Sequence, residues 1–482
     1  GQLERAYSLF QDALVRNPNS AKVHRALAGV LKDLGNIQTA EHHLRRALEL
    51  NPMDHIAHGG LLFIMNYAFS QSPEKILDDS RRWVHRVLSD VVRNAAYQQR
   101  FSRLPRQGRR LRIGYVSGDF RRHAVSYFVE SLFAHHERAR IVVFAYSTHL
   151  KRDAVTERIN RRVDYWCSLC GLTDEAAAER IREDQIDVLI DLSGHTDYNR
   201  LGLFARRAAP VQAHYLGFLG TTGLTEMDYW IGDDILTPPE IRGHFSETLW
   251  PLHRVWVSYA GSAEAPETSW QPAIDGTIWL GSFNNLGKLT PATIDLWARV
   301  LHAIPEAKLL LKTKALSDAR NRQRVLEEFA QQGVEPERIE LRDSWVTPDW
   351  PAHMAYYDRL DIALDPIYAV GGGTTTCDAL WMGVPVITLV GDRMASRMTA
   401  SMLHAIGLPE WIAESKDDYI AKVVALGRDV ALRQSLRFTQ RERMAQSPLC
   451  DGKGLALALE DAYEGMFDRW YATHANTTTS EE

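Results

Sequence analysis

Gly371-Gly-Gly-Thr-Thr-Thr-Cys-Asp-Ala-Leu-Trp-Met-Gly-Val-Pro-Val386 follows an apolar, strand-like run, Leu360-Asp-Ile-Ala-Leu-Asp365, and passes straight into a helix-like segment. Three glycines let a backbone approach a ligand closely. Thr374, Thr375 and Thr376 then offer hydroxyls and free N–H groups at a helix start, a ready place for phosphate. Asp378 lies one turn further in, where a carboxylate can take a ribose hydroxyl. The stretch reads as a cradle for a nucleotide diphosphate. It is not a P-loop, because no Gly-Lys-Ser/Thr follows the glycines, and it lacks G-x-G-x-x-G. A glycine-rich strand-to-helix turn without a ligand is the competing reading of this segment taken alone.

Outward from this point the pattern repeats. Short apolar runs occur at Thr277–Phe283, Lys308–Lys312, Ile339–Leu341, Ile362–Leu364 and Pro385–Leu389, with helical spacing between them. An earlier series holds Leu111–Val116, Ile141–Tyr146 and Val188–Leu192, separated by segments such as Asp174-Glu-Ala-Ala-Ala-Glu-Arg-Ile-Arg182. Strands alternating with helices imply parallel βαβ units. The expected fold class is therefore α/β, two consecutive Rossmann-like domains whose ligands lie at strand carboxyl ends, in a cleft that the two share.

The first residues follow another rule. Gly1-Gln-Leu-Glu-Arg-Ala6 corresponds to Gly35-Asn-Ile-Gln-Thr-Ala40, Ala13-Leu14 to Ala47-Leu48, and Asn17-Pro18 to Asn51-Pro52, each offset by 34 residues. That period, with small residues at Ala6 and Ala40 and a closing proline, is the tetratricopeptide pattern. So short a solenoid is not self-sufficient and is expected to abut the next domain. Helical periodicity continues from about residue 55 to 100, and the basic, turn-rich stretch at 104–110 reads as a linker. The expected divisions are repeats at 1–68, a helical adaptor and linker at 69–110, a first Rossmann-like lobe at 111–260, a second at 261–472 and a flexible tail at 473–482.

The chain has 482 residues, 45% hydrophobic and 24% charged, with a formal net charge of −5, so no polybasic case for nucleic acid arises. No apolar run reaches membrane-spanning length, and the sequence begins in mid-pattern, like a piece of a longer protein. Four cysteines argue against a disulfide framework and fit a reducing compartment, the cytoplasm. Cys167 and Cys170 form a lone C-x-x-C with no second pair, which makes neither a zinc site nor a redox motif. Asp233-Asp234 is not flanked like a metal-binding acidic motif, so no metal is expected.

Four chemistry-bearing segments fall at carboxyl ends of expected strands. His123 lies in Ser117-Gly-Asp-Phe-Arg-Arg-His-Ala-Val-Ser126, Thr196 in Ser193-Gly-His-Thr196, and Lys288 in Asn284-Asn-Leu-Gly-Lys-Leu-Thr-Pro291; the cradle is the fourth. A cation at Lys288 facing backbone amides suits a departing diphosphate, because fixed donors meet the developing charge without reorganising. A lone lysine is ordinarily a solvated surface group and a lone histidine ordinarily structural, so the case rests on their joint placement.

These motifs resemble the tetratricopeptide-containing protein O-glycosyltransferases, glycosyltransferase family 41, of GT-B fold. The resemblance rests on Leu111-Arg-Ile-Gly-Tyr-Val-Ser-Gly-Asp-Phe120 with His123, Ala209-Pro-Val-Gln-Ala213 with Gly217-Phe-Leu-Gly-Thr-Thr-Gly223, Phe283-Asn-Asn-Leu-Gly-Lys288, and Thr374-Thr-Thr-Cys-Asp378. It implies an inverting, metal-independent enzyme without a cofactor, acting on a nucleotide sugar and on acceptor proteins gathered by the repeats. It places His123 as a polar contact or base beside the acceptor and sugar, Thr196 in the loop reaching the active site, Asn285 near the diphosphate and Lys288 upon it. It places Thr374 and Thr375 at the phosphates, Asp378 at the ribose and His353 against the base. The O-GlcNAc transferase branch has a histidine where Gly373 stands and a tyrosine where Gly287 stands; in these segments the chain looks more like the SPINDLY branch. UDP-GlcNAc is the family's commonest donor and GDP-fucose the SPINDLY donor, and the motifs leave both open. A repeat scaffold whose Rossmann pair has lost catalysis is the reading from another class.

Overall fold

The computed structural model describes residues 2–67, 71–87, 101, 103–106, 108–261, 264–367 and 370–475. They form two compact units, each assembled from separated stretches of chain. One comprises Gly1–Pro52, Ile64–Ser72 and Gly261–Cys450, the other Met53–Phe63, Pro73–Ala260 and Asp451–Glu482.

The second of these holds a seven-stranded sheet. Its strands are β1 (Leu111–Ser117), β2 (Ile141–Ser147), β3 (Tyr165–Ser168), β4 (Val188–Asp191), β5 (Val211–His214), β6 (Tyr229–Gly232) and β7 (Thr248–Pro251). All neighbours are parallel, in the order β3-β2-β1-β4-β5-β6-β7. β2 is buried along its whole length and β1 almost so, as expected of near-continuous apolar runs covered by helices on both faces. The basic linker is anchored here: Arg103 and Arg109 both pair with the fully buried Asp187, Arg109 at 2.7 Å.

The closing helix Gly452–Ala475 also belongs to this unit, not to the second lobe where the sequence reading put it. The Tyr463 hydroxyl lies 3.0 Å from that of Tyr115 on β1, and Glu460 accepts from His136 Nδ1 (2.9 Å) and the Glu137 amide (2.8 Å). These polar groups are buried only because they satisfy one another. The helix also runs on through residues 473–475, which the sequence reading assigned to the tail; residues 476–482 lie outside the described residues, as do 88–100 of the expected adaptor.

The other unit holds a six-stranded parallel sheet of β8 (Ile278–Ser282), β9 (Ala307–Lys312), β10 (Ile339–Arg342), β11 (Ile362–Leu364), β12 (Val386–Leu389) and β13 (Ile412–Ala413), in the order β10-β9-β8-β11-β12-β13. Both sheets thus carry the Rossmann order, with the strand sequence reversing between β1 and β4 in one and between β8 and β11 in the other. The repeat helices Gln2–Arg16, Ala21–Asp33 and Ile37–Leu50 cluster with this unit. Ser20 and Asn36 cap the second and third by accepting from Val23 and Thr39 amides, and Leu27, Leu31, Ala40, Leu44 and Ala47 fill the space between them. The fold class read from the sequence, two Rossmann-like α/β domains with amino-terminal repeat helices, is the one observed.

Candidate active site

The switch point of the seven-stranded sheet is flanked by the loop after β1, which carries His123, and the loop after β4, which carries Thr196. The two loops meet where the Gly118 amide lies 3.4 Å from Ser193 Oγ, and Thr148, just after β2, donates through Oγ1 to the Tyr198 carbonyl of the β4 loop (2.7 Å). His123 is the N-cap of the helix Ala124–His135, its Nδ1 accepting from the Val125 amide at 3.3 Å and lying 3.4 Å from the Asp119 carboxylate. Accepting through Nδ1 leaves the ring proton on Nε2. Burial lowers the His123 pKa against the opposing pull of Asp119, and burial raises that of Asp119. His123 is therefore a neutral imidazole presenting an N–H donor. Thr196 Oγ1 donates to Ser193 O (2.8 Å) and closes its own turn. Beneath it, buried His195 donates from Nε2 to the Thr222 carbonyl at 2.8 Å; its pKa falls to about 4 because burial disfavours charge. Glu247 fixes the Gly220-Thr-Thr-Gly223 motif, accepting from Thr221 Oγ1 and the Thr222 amide, each at 2.7 Å.

The switch point of the six-stranded sheet is flanked by the turn after β8, with Lys288, and by the cradle after β11. Lys288 Nζ donates to the Gly371 carbonyl at 2.6 Å and to Asn284 Oδ1 at 3.1 Å. The residue keeps some surface, but its ammonium is enclosed, and burial lowers its pKa to about 8 despite the attraction of Asp365. Asp365, buried at the end of β11, accepts from the Gly372 amide (2.6 Å) and Thr388 Oγ1 (2.7 Å), and burial raises its pKa. The geometry explains one glycine and frees another. A Cβ on Gly372 would stand 2.0 Å from Thr376 Oγ1, whereas one on Gly373 would meet nothing within 4 Å. Gly287 is tight for a different reason: a Cβ there would lie 3.0 Å from Ile37 Cδ1 on the third repeat helix.

The helix Thr374–Trp381 starts at Gly373, which offers no side-chain cap. Among the described residues the Thr374 and Thr375 amides have no protein acceptor. Thr376 departs from the expectation of a ligand contact. Its amide bonds the Gly373 carbonyl (3.1 Å) and its buried hydroxyl bonds Thr399 Oγ1 (2.9 Å), so the third threonine holds the helix to its neighbour instead. Asn285 is likewise spent, capping its turn through the Gly287 amide at 2.9 Å, and it is the preceding Asn284 that touches Lys288. Asp378 sits half-buried one turn into the helix. His353, in the helix Trp350–Ala355, belongs to a cluster with Phe283, Tyr356 and Tyr357, and Lys312 Nζ stands 2.6 Å from its Nδ1. Tyr357 joins this cluster to the cradle by donating to the Thr375 carbonyl at 3.4 Å. Lys312, Asn284 and Asp365 were not singled out from the sequence; each sits at or just past a strand carboxyl end, which is the signal that could have found them.

Comparison with known proteins bears on the whole chain. Residues 67–258 and 271–459 match glycosyl transferase family 41, and residues 1–62 match a tetratricopeptide repeat family. The structure superposes on a variant of the O-GlcNAc transferase from Thermobaculum terrenum with a TM-score of 0.90 and 36% identity, covering 98% of this chain and 89% of that one. The probable UDP-N-acetylglucosamine–peptide N-acetylglucosaminyltransferase SPINDLY of Petunia hybrida is 37% identical over 88% of this chain and 45% of its own length. The probable enzyme of the same activity named SEC, from Arabidopsis thaliana, is 32% identical over 75% of this chain and 37% of its own length. The chain spans about half the length of the curated relatives it matches. With the Rossmann order in both sheets, Lys288 against the glycine–threonine cradle, and sequence likeness across nearly its full length, the chain belongs to glycosyl transferase family 41.

Proposed function

We propose that the chain transfers a sugar from a nucleotide sugar to Ser or Thr hydroxyls of acceptor proteins, with inversion and without a metal ion or cofactor. The observation that carries this reading is the meeting of an enclosed ammonium, Lys288, with a helix start whose first two amides are unspent. The diphosphate would take those amides and the ammonium; the hydroxyl attacks the anomeric carbon as the sugar–phosphate bond breaks, its proton passing to an oxygen of the departing diphosphate, and Lys288 meets the charge that builds on that leaving group. Asp378 would hold the ribose and His353 the base. His123 would offer its Nε2–H to the sugar or acceptor, and Thr196 would line the same region. The repeats would gather the acceptor, and the free cysteines suit a reducing cytoplasm. Among the described residues no helix is long and apolar enough to cross a membrane.

UDP-GlcNAc is the donor we infer. GDP-fucose is the second reading, favoured by Gly287 and Gly373, which follow the SPINDLY pattern. Thermal shift against UDP and GDP separates them, since a ligand at a hundred times its Kd stabilises the folded state by about 2.7 kcal/mol. A rise with UDP supports the first donor and a rise with GDP the second. A flat response to both would leave the non-catalytic scaffold as the better account.

A further inference from the structure

Lys312 ends β9, beside the candidate nucleotide site, and is only 3% exposed. A buried lysine is costly unless its charge is met. Among the described residues it has no carboxylate within ion-pair distance; Asp343 acts on it from further off and is itself engaged by Arg322 (3.3 Å) and the Trp345 amide (2.8 Å). What the ammonium touches instead is aromatic. It stands 5.5 Å from the Phe283 ring centroid, 5.4 Å from that of Tyr356, and 2.6 Å from His353 Nδ1. A methionine or leucine would pack in this place without the desolvation cost, so the charge calls for a reason beyond packing.

An ammonium has no lone pair, so Nδ1 must be the acceptor and the ring proton must sit on Nε2. Among the described residues Nε2 has no hydrogen-bond partner. The groups facing His353 are Lys312 from β9, Phe283 from the end of β8, and Tyr356 and Tyr357 following its own helix, with Asp343 behind Lys312. Among the described residues no carboxylate touches the ring. Burial, with Lys312 adding to it, lowers the His353 pKa to about 4.

We propose that Lys312 is a positioning residue of the nucleotide site: by donating to Nδ1 it holds His353 in one orientation and one tautomer, a flat neutral ring with Nε2–H free for an oxo-bearing base. The inference rests on the nucleotide-sugar reading above. Lys312 acts through His353 and does not bind the nucleotide by itself.

The test is a double-mutant cycle read by calorimetric titration of UDP and GDP into the full chain. A hydrogen bond from Nε2 to the base is worth up to roughly tenfold in Kd. Lys312→Met and His353→Ala are each expected to weaken the tighter of the two nucleotides about tenfold, and the double variant by the same tenfold. A hundredfold loss in the double variant, or no loss in Lys312→Met, overturns the proposal. Because Lys312 is buried, a second measurement needs neither the Lys312 variant nor nucleotide. Ring nitrogen-15 shifts of the wild-type protein, with His353 assigned by difference from the alanine variant, should show Nε2 protonated at pH 7; a proton on Nδ1 overturns the proposal. Wild-type protein that binds neither nucleotide, with the tautomer as expected, overturns the nucleotide reading itself and with it the ligand role assigned here.

Discussion

Replacing Lys288 by methionine removes one charge and keeps most of the aliphatic stem. Among the described residues the ammonium touches only the Gly371 carbonyl and Asn284 Oδ1, with the Asp365 charge nearby, and it is enclosed enough for its pKa to fall to about 8. A leaving diphosphate gains about one unit of charge as the glycosidic bond breaks. A unit charge about 4 Å from the ammonium, at an effective dielectric near 20, is worth about 4 kcal/mol. At about 1.4 kcal/mol per decade this predicts a loss in kcat on the order of a thousandfold. The assay is single-turnover transfer of labelled sugar to a protein acceptor, alongside calorimetric titration of the released nucleotide. Unfolding should change little, because the variant loses a desolvated cation that has no ion pair among the described residues. A loss under tenfold, with nucleotide affinity unchanged, would refute the assignment of Lys288 to the diphosphate.

Other expectations follow from neighbouring groups. Lys288 is charged below about pH 8 and neutral above it, so UDP or GDP affinity should hold from pH 6.5 to 8 and weaken above. Titration at pH 7, 8 and 9 checks this, and the fall should be shallower in Lys288→Met. Gly372→Ala should damage the cradle, since its Cβ would fall 2.0 Å from Thr376 Oγ1, while Gly373→Ala should bind nucleotide as the parent does. Equilibrium binding of both variants reads the difference. Arg433 and Asp361 form a buried pair at 3.1 Å, each side chain 4% exposed, and Asp361 also takes the Trp279 amide at 2.7 Å. Asp361→Ala should cost about 3–5 kcal/mol by stranding the guanidinium, measurable by denaturant unfolding. Transfer should survive EDTA; its abolition, with recovery on adding back a divalent ion, would contradict the role given to Lys288 and the amides.

The strands that could be read in advance were those whose side chains say little except that they are apolar on both faces: Leu111–Val116, Ile141–Tyr146 and Ile362–Leu364 all fall within a residue of the observed elements. Those that escaped carry polar residues for local reasons. β5 reads Val-Gln-Ala-His, because Gln212 is buried to satisfy the Phe204 and Glu226 carbonyls and His214 to meet Asp191. β3 lies at the sheet edge with an exposed Tyr165 and so lacks a continuous apolar signature. The cradle was legible as glycines and threonines in order, but not which hydroxyl faces inward. Thr376 turns to Thr399 because helical spacing carries it to the buried side, and a string of identical residues hides that difference. Nor could Lys312 be told from any lysine closing a strand, since its meaning depends on a histidine 41 residues later.

The closing helix has a consequence for biosynthesis. β1 and its neighbours leave the ribosome early, yet the partners of Tyr115 and His136 are Tyr463 and Glu460, and the Glu460–His136 bond spans 324 residues. At about 5–20 residues per second, the intervening roughly 200 residues after β7 take on the order of 10–40 seconds to emerge. For that interval the nascent sheet carries an uncovered helix-sized face, and Tyr115 and His136, which bond each other at 2.8 Å, still lack their bonds to the closing helix. The seven-stranded unit is therefore completed only after translation of its final helix, so a ribosome stalled near Cys450 would hold a sheet fully made but not closed. Chaperone occupancy of nascent chains should peak in that window and fall once Gly452–Ala475 has emerged.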